Sequence, residues 1–191
     1  MIKRMAGWIV TWQINRQTLE SRDEALYLFA YESMIGQLAN ILIAVLIAFV
    51  LHSWLPVAVF LVSYIPLRSY AGGYHADSHG MCCVVSAVIL IVVSCLDKVL
   101  DGAFFMPLGM SALMISGAAV FSLAPVADHN KPLDMEERKR YQQKSREIWI
   151  AEELGLVLCS MVRAERIGMT VAVSLLLMSF MLVIGKLKNM R

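Results

Sequence analysis

The chain has 191 residues, of which 59% are hydrophobic and only 17% are charged, and its mean hydropathy is +0.65. An ordinary soluble domain carries about 25% charged residues, so this composition excludes such a domain and favours one bundle of membrane helices over residues 1–191. The net charge of +2 gives no indication of a nucleic-acid partner. The four cysteines show neither paired nor metal-knuckle spacing, so we expect no disulfides: Cys82, Cys83, Cys95 and Cys159.

The first 20 residues contain an amphipathic segment. Within residues 1–17, four large apolar residues recur at helical spacing while the basic residues lie off their stripe: Met5, Trp8, Ile9 and Trp12. This pattern predicts an interfacial helix lying on an anionic membrane surface, or alternatively an amphipathic helix packed on the protein itself. Ser21 and Glu24 then have capping-box spacing, which predicts the start of the next helix.

Six apolar runs follow, at residues 35–51, 54–67, 81–96, 104–124, 148–162 and 167–184. Roughly 20 apolar residues cross the hydrocarbon core of a membrane, so the second run is short for a span. Its helix either extends into the polar stretch that follows or breaks at Pro66. The fifth run contains Glu152 and Glu153. We therefore predict an all-α, polytopic helical membrane protein with about six membrane segments plus the N-terminal interfacial helix.

A long polar segment, residues 125–147, separates the fourth and fifth runs, and the spacing of Asp134 and Glu137 predicts a helix start within it. If all six runs cross the membrane and both termini are cytoplasmic, 14 of the 17 lysines and arginines lie inside. Because cytoplasmic loops carry an excess of basic residues, this arrangement is favoured. It makes residues 125–147 a cytoplasmic basic loop and puts residues 68–83 on the same side.

Residues 68–83, with the sequence RSYAGGYHADSHGMCC, form a polar stretch between two membrane-type runs. His75 can act as the base for the thiol of Cys82, which lies near the start of the third run, where a helix dipole favours a thiolate. Gly72 and Gly73 allow tight turns and can leave backbone amides open to a substrate carbonyl. The combination predicts a cysteine-peptidase pair, His75 and Cys82, at the membrane face.

Two charged residues of the same stretch are further candidates. Asp77 can orient the imidazole of His75. Arg68 can hold a carboxylate of the substrate, shape the loop, or anchor the loop to a lipid phosphate. Taken one at a time, these residues also have purely structural interpretations, since a glycine pair marks a turn and an arginine at a membrane end sets topology.

Two other functional classes remain open from the residues alone. His75 and His79 are four residues apart, so with Cys82 they can form a zinc site of a membrane metallopeptidase, although no glutamate adjoins either histidine as a base. A small membrane transporter is the other alternative, with Glu32, Glu152 and Glu153 as intramembrane carboxylates. No pair of broken helices in matching halves supports the transporter.

The sequence resembles the AgrB family, the accessory gene regulator B peptidases of bacterial quorum sensing. The resemblance rests on RSYAGGYHA, Arg68–Ala76, followed seven residues after its histidine by Cys82, and on the later APVADHNKPL, Ala124–Leu133. It implies that His75 and Cys82 are catalytic and that Arg68 and Gly73 are functional. Cys83 is an extra neighbour of the implied nucleophile.

The resemblance also implies a substrate, a quorum-sensing propeptide with an amphipathic leader, a core and an acidic C-terminal tail. Cys82 is expected to be acylated as the tail is cut off, and a cysteine or serine of the core then displaces it to form a thiolactone or lactone ring. We expect no cofactor, and the family implies a homodimer. The charge of the basic loop favours recruitment of the acidic tail by Arg138, Lys139 and Arg140, although these residues can also serve topology alone.

Overall fold

A computed structural model describes residues 2–74, 79–126 and 133–190 of the chain, without the side chains of Ser21 and His79. The described residues form seven α-helices and two short 3₁₀ turns, and they contain no β-strand. The helices are α1 Ile2–Asn15, α2 Glu24–Val50, α3 Trp54–Ala71, α4 His79–Val99, α5 Phe105–Leu123, α6 Met135–Met161 and α7 Glu165–Lys188. The predicted all-α architecture is therefore confirmed.

Five helical segments within the described residues are long and apolar enough to cross a membrane: α2, α3, Gly80–Val99 of α4, Gly102–Leu123 around α5, and α7. The chain is thus a polytopic helical membrane protein. Of the two remaining helices, α6 joins a polar first half to the apolar run that starts at Ile148. This second half packs against α3, α5 and α7, within the bundle.

Helix α7 is the centre of the bundle. In its most apolar stretch 61% of the residues are buried inside the protein, against 17% in α2 and 22% in α4. Small residues such as Gly168, Ala172 and Ser174 bring its neighbours close to its backbone. The outer helices instead expose large apolar side chains such as Leu42, Leu46 and Phe49 of α2, as lipid-facing surfaces do.

Helix α1 confirms the predicted N-terminal helix and shows which of its faces packs on the protein. Ala6 and Val10 are buried against α2, and Gln13 donates a hydrogen bond to the Tyr31 hydroxyl at 2.8 Å. The predicted apolar stripe faces outward instead, and Trp8 is 72% exposed. An outward tryptophan on a basic helix is what an interfacial helix presents to the headgroup region of a membrane.

The predicted helix boundaries hold with one adjustment. The Asp134 carboxylate accepts from the backbone N–H of Glu137 at 2.7 Å, so α6 begins where the spacing predicted. Helix α3 continues through Pro66 to Ala71 and so extends into the polar stretch, the first of the two predicted outcomes. Helix α2 begins at Glu24 with Asp23 as its N-cap, after a 3₁₀ turn that starts at Ser21.

The two ends of the bundle carry different polar groups. At one end the C-termini of α3, α5 and α7 meet, because Val126, just after α5, pairs with Gly72, and Tyr74 bonds to Met181 of α7. At the other end Arg166 at the start of α7 forms an ion pair with Asp97 of α4. Arg68, Arg138 and Lys186 belong to the first end, which also holds Gly72, Gly73 and Tyr74 after α3.

Candidate active site at the loop between α3 and α4

Two glycines turn the chain sharply where α3 ends. Gly72 has φ of 74° and Gly73 has φ of 120°, both in the region that side chains with a Cβ disfavour. A Cβ at Gly72 would collide with the backbone carbonyl of Val126. The glycine pair predicted as loop-shaping therefore has a concrete task, to let the loop lie flat against the segment after α5.

Backbone hydrogen bonds hold this turn to two other helices. The Val126 N–H donates to the Ala71 carbonyl at 2.9 Å, and the Tyr74 N–H donates to the Met181 carbonyl of α7, also at 2.9 Å. Gly185, one turn further along α7, lies so close to Gly73 that a Cβ there would be 2.5 Å from the Gly73 carbonyl carbon. The loop is thus fixed on both sides up to Tyr74, the residue that precedes His75.

Arg68 supports the same loop from inside. Its guanidinium donates to the backbone carbonyl of Tyr74 and, at 3.2 Å, to the hydroxyl of Tyr64. These contacts join the last turn of α3 to the end of the described loop. They agree with the loop-shaping role predicted for Arg68, whereas binding of a substrate carboxylate or of a lipid phosphate stays a prediction.

Cys82 is the fourth residue of α4 and is half-buried. Its Sγ lies 3.9 Å from Nδ2 of Asn40, a residue of α2 that donates to it. Within the described contacts, no polar side chain approaches Cys83 in this way. The position near the N-terminus of α4 confirms the predicted placement of Cys82 and sets its sulfur close to the positive end of a helix dipole.

Several predicted site residues fall outside this geometry. His75 and Asp77 lie outside the described residues, and the side chain of His79 is not described either. The pairing of His75 with Cys82 therefore stays a prediction, as does the alternative zinc site that uses the same histidines. No cluster of three metal-ligating side chains occurs among the residues that are described.

An open cavity of about 160 Å³ next to the loop has two basic residues in its lining. The cavity is lined by Val126, the residue that pairs with Gly72, and by Arg138 of α6 and Lys186 of α7, among others. Lys139 and Arg140 are exposed on α6 but do not line it. Of the three cations predicted to attract an acidic tail, the structure brings Arg138 to the loop.

The later cations of α6 have partners of their own. Lys144 donates to Glu147 at 2.8 Å, and this bond raises the pKa of Lys144 and lowers that of Glu147. Arg146 donates to the Phe121 carbonyl and lies over the Phe121 ring, 4.8 Å from its centre. Among the described residues, no carboxylate forms an ion pair with Arg138.

Glu152 and Glu153, in the apolar half of α6, lie between helices, away from the loop. Glu153 accepts a hydrogen bond from Ser116 of α5 at 3.5 Å, and the same hydroxyl accepts from the indole of Trp149 at 2.6 Å. Glu152 interacts with Ser63 of α3. These contacts join α6 to α3 and α5. They involve Glu152 and Glu153, two of the three carboxylates that the transporter alternative requires.

Comparison with known proteins decides the family. The sequence profile of the family described as accessory gene regulator B matches residues 2–182. The chain belongs to the AgrB family. An AgrB-like protein of Lactiplantibacillus plantarum is 24% identical over 165 residues, which cover 86% of this chain and 80% of the relative. AgrB-like protein 2 of Clostridium perfringens is 23% identical over 152 residues, which cover 75% and 70%. No solved structure matches the chain.

Membership of the AgrB family supports a role in processing a quorum-sensing propeptide at the membrane. The described parts of both family elements noted in the sequence meet in the fold. Arg68–Tyr74 comes from the first element, and Val126, from the second, pairs with it through Ala71 and Gly72. The sequence alone had no signal for this contact, since the two segments are more than 50 residues apart.

Proposed function

We propose that this AgrB-family protein is a membrane cysteine endopeptidase that removes the acidic tail of a quorum-sensing propeptide and supports its cyclisation. The observation that carries the proposal is the half-buried thiol of Cys82 at the start of α4, in contact with the amide of Asn40. The fixed loop that ends at Tyr74 supports it, because His75 is the next residue in the chain.

Cys82 is the nucleophile and His75 the general base in this mechanism. His75 takes the proton of the thiol as sulfur attacks the carbonyl carbon at the cleavage site. The tetrahedral intermediate collapses by breaking the C–N bond, and His75 returns the proton to the amine of the leaving tail. The products of this step are the free tail and a thioester between the leader-core portion and Cys82.

Ring closure then exchanges the acyl group inside the substrate. A cysteine or serine of the core loses its proton to His75 and attacks the Cys82 thioester, so a thiolactone or lactone forms and the Cys82 thiol is restored. With a substrate thiol the exchange of one thioester for another is close to balanced, and proximity provides effective molarities of about 10⁵ M or more. Cleavage itself is uphill, so departure of the tail drives the sequence without ATP.

The cavity beside the loop supports recognition of the acidic tail. Arg138 and Lys186 line it, and Val126 links it to the turn at Gly72. A tail that leaves the cleavage site towards this cavity meets the positive charges of Arg138 and Lys186, which attract carboxylates and speed encounter. Lys139 and Arg140 add to the field from the exposed face of α6.

The distribution of charge also supports a cytoplasmic site and cytoplasmic termini. Arg68, Arg138 and Lys186 lie at the loop end of the bundle, and Arg166 lies at the opposite end. Because cytoplasmic ends carry the excess of lysine and arginine, the loop end faces the cytoplasm and α6 completes a sixth crossing. A homodimer remains part of the proposal through family membership.

Cleavage by purified protein in liposomes tests the proposed function. Cys82→Ala and His75→Ala should each abolish tail removal at unchanged protein levels, because each removes a group that takes part in bond breaking. Cys83→Ala and His79→Ala are the matched controls and should retain cleavage. Loss of activity with a chelator, together with zinc in the purified protein, would favour the metallopeptidase instead.

A trapped intermediate tests the covalent step directly. A propeptide whose internal nucleophile is changed to alanine cannot close its ring, so it should accumulate as a hydroxylamine-sensitive adduct on Cys82. Mass spectrometry of the protein locates the adduct. Continued cleavage with no adduct on Cys82 or Cys83 would contradict nucleophilic catalysis.

A further inference from the structure

Asn40 is a polar residue in the apolar part of α2, and it reaches the thiol of α4. Its Nδ2 lies 3.9 Å from Sγ of Cys82, across 42 positions of sequence. Its Oδ1 is buried and has no hydrogen-bond partner among the described groups. An amide in this state costs stability, because a buried polar atom without a partner loses its hydrogen bonds to water. An apolar side chain would suit this part of the helix better unless the amide serves the site.

Acyl transfer to Cys82 needs a hydrogen-bond donor for the oxygen of the tetrahedral intermediate. The backbone amides of the glycine turn were the candidates from sequence, but two of the loop amides are engaged. The Gly72 N–H donates to the Arg68 carbonyl at 3.0 Å, and the Tyr74 N–H donates to the Met181 carbonyl at 2.9 Å. These two amides are not available to an oxyanion, which leaves room for a side-chain donor close to the sulfur.

The position of Asn40 suits that role. When Sγ bonds to a carbonyl carbon, the carbonyl oxygen comes to lie about 2.6 Å from sulfur, and a stabilising donor must lie about 2.7–3.1 Å from that oxygen. Because the amide nitrogen of Asn40 lies 3.9 Å from Sγ, an oxygen can satisfy both distances at once. That oxygen lies between the nitrogen and the sulfur, to one side of the line that joins these two atoms. The hydrogen bond moves from sulfur in the free enzyme to oxygen in the intermediate.

We propose that Asn40 is a catalytic residue of this peptidase, whose Nδ2–H stabilises the oxyanion formed when Cys82 attacks the propeptide. The proposal rests on the proposed function, because it takes Cys82 as the nucleophile. It adds a third residue to His75 and Cys82, and it places that residue on α2, outside both sequence elements of the family resemblance. Asn40 stabilises the developing charge and takes no proton.

Two reactions of the same thiol separate this role from a structural one. Tail cleavage passes through an oxyanion, whereas alkylation of Cys82 by iodoacetamide displaces iodide and forms none. The protein used has Cys82 as its sole cysteine. In this background Asn40→Leu, which keeps the size of the side chain but removes the donor, should slow cleavage about 10²–10³-fold. Alkylation of Cys82 should stay within about twofold of the parent protein.

Gln37→Leu provides the matched control. Gln37 lies one turn before Asn40 on α2 and is exposed, so this change removes an amide from the same helix without touching the thiol. It should leave both reactions unchanged. Asn40→Ala is the second variant, and it should reproduce the loss of cleavage if the missing donor, and not the leucine side chain, is the cause.

Three outcomes would overturn the proposal. Cleavage by Asn40→Leu within about threefold of the parent would show that the donor is not used. An equal loss of cleavage and alkylation would show that Asn40 acts on the thiol or on the placement of α4. Normal cleavage by Asn40→Ala alongside inactive Asn40→Leu would attribute the effect to bulk. Failure of the proposed function is a separate result, seen as cleavage that survives Cys82→Ala.

Discussion

Replacement of Gly72 by alanine tests whether the turn after α3 is required for activity. Gly72 adopts φ of 74° and ψ of −138°, a conformation available essentially to glycine alone. The added Cβ would also collide with the Val126 carbonyl, a backbone atom that cannot move aside as a flexible side chain can. The turn must therefore either open away from Val126 or take up strain.

The magnitude follows from these two effects. Holding alanine in this backbone region costs about 2 kcal/mol, and opening the contact loses the Val126–Ala71 hydrogen bond, worth about 1 kcal/mol. Together they disfavour the ordered loop by about 3 kcal/mol, which corresponds to a factor of about 10² in its population. If His75 acts only from the ordered loop, tail cleavage by Gly72→Ala should fall by about the same factor.

The assay is cleavage of the propeptide by protein in liposomes, with protein level measured in parallel. Gly80→Ala is the matched control, since Gly80 lies two residues before Cys82 in α4 and a Cβ there meets no atom within 4 Å. That variant should keep full activity, because alanine fits a helix at least as well as glycine. Gly72→Ala activity within about threefold of the parent would refute the view that this turn positions the base.

Three further predictions follow from the charges and the chemistry. Single cysteines at Lys98 and Lys139, in a background without native cysteines, should label from opposite sides of the membrane, and labelling of both from outside would contradict the six-crossing topology. Arg138→Glu should weaken propeptide binding more than Lys139→Glu, since of these two residues only Arg138 lines the cavity. The loss of binding should shrink at high salt, because the Debye length falls to about 3 Å at 1 M. Equal, small effects of the two substitutions would indicate that both residues serve only the membrane topology. Excess free tail peptide should lower the yield of ring in the absence of ATP, because cleavage is reversible, and a yield that depends on ATP would contradict the acyl-transfer sequence.

Local features of this protein were predictable from its sequence. Apolar runs of sufficient length predict membrane helices because the bilayer leaves no other way to satisfy the backbone, and the described helices follow those runs. The cap at Asp134 and the placement of Cys82 near the start of α4 depend on residues within one or two turns, so spacing alone identified them. The glycine turn was also a local signal, because Gly72 and Gly73 are adjacent in sequence.

Contacts between distant segments were decided by the tertiary structure. Nothing local to Asn40 relates it to Cys82, and nothing in the polar stretch predicts that Val126 and Met181 fix its backbone. The central position of α7 was also decided by the tertiary structure. Helices α2, α4 and α7 are all apolar enough to span a membrane, yet α7 is the most buried of the three. Hydropathy cannot rank these helices by burial, because lipid tails are as apolar as the side chains of a neighbouring helix. The packing of small residues therefore determines which helix lies inside the bundle.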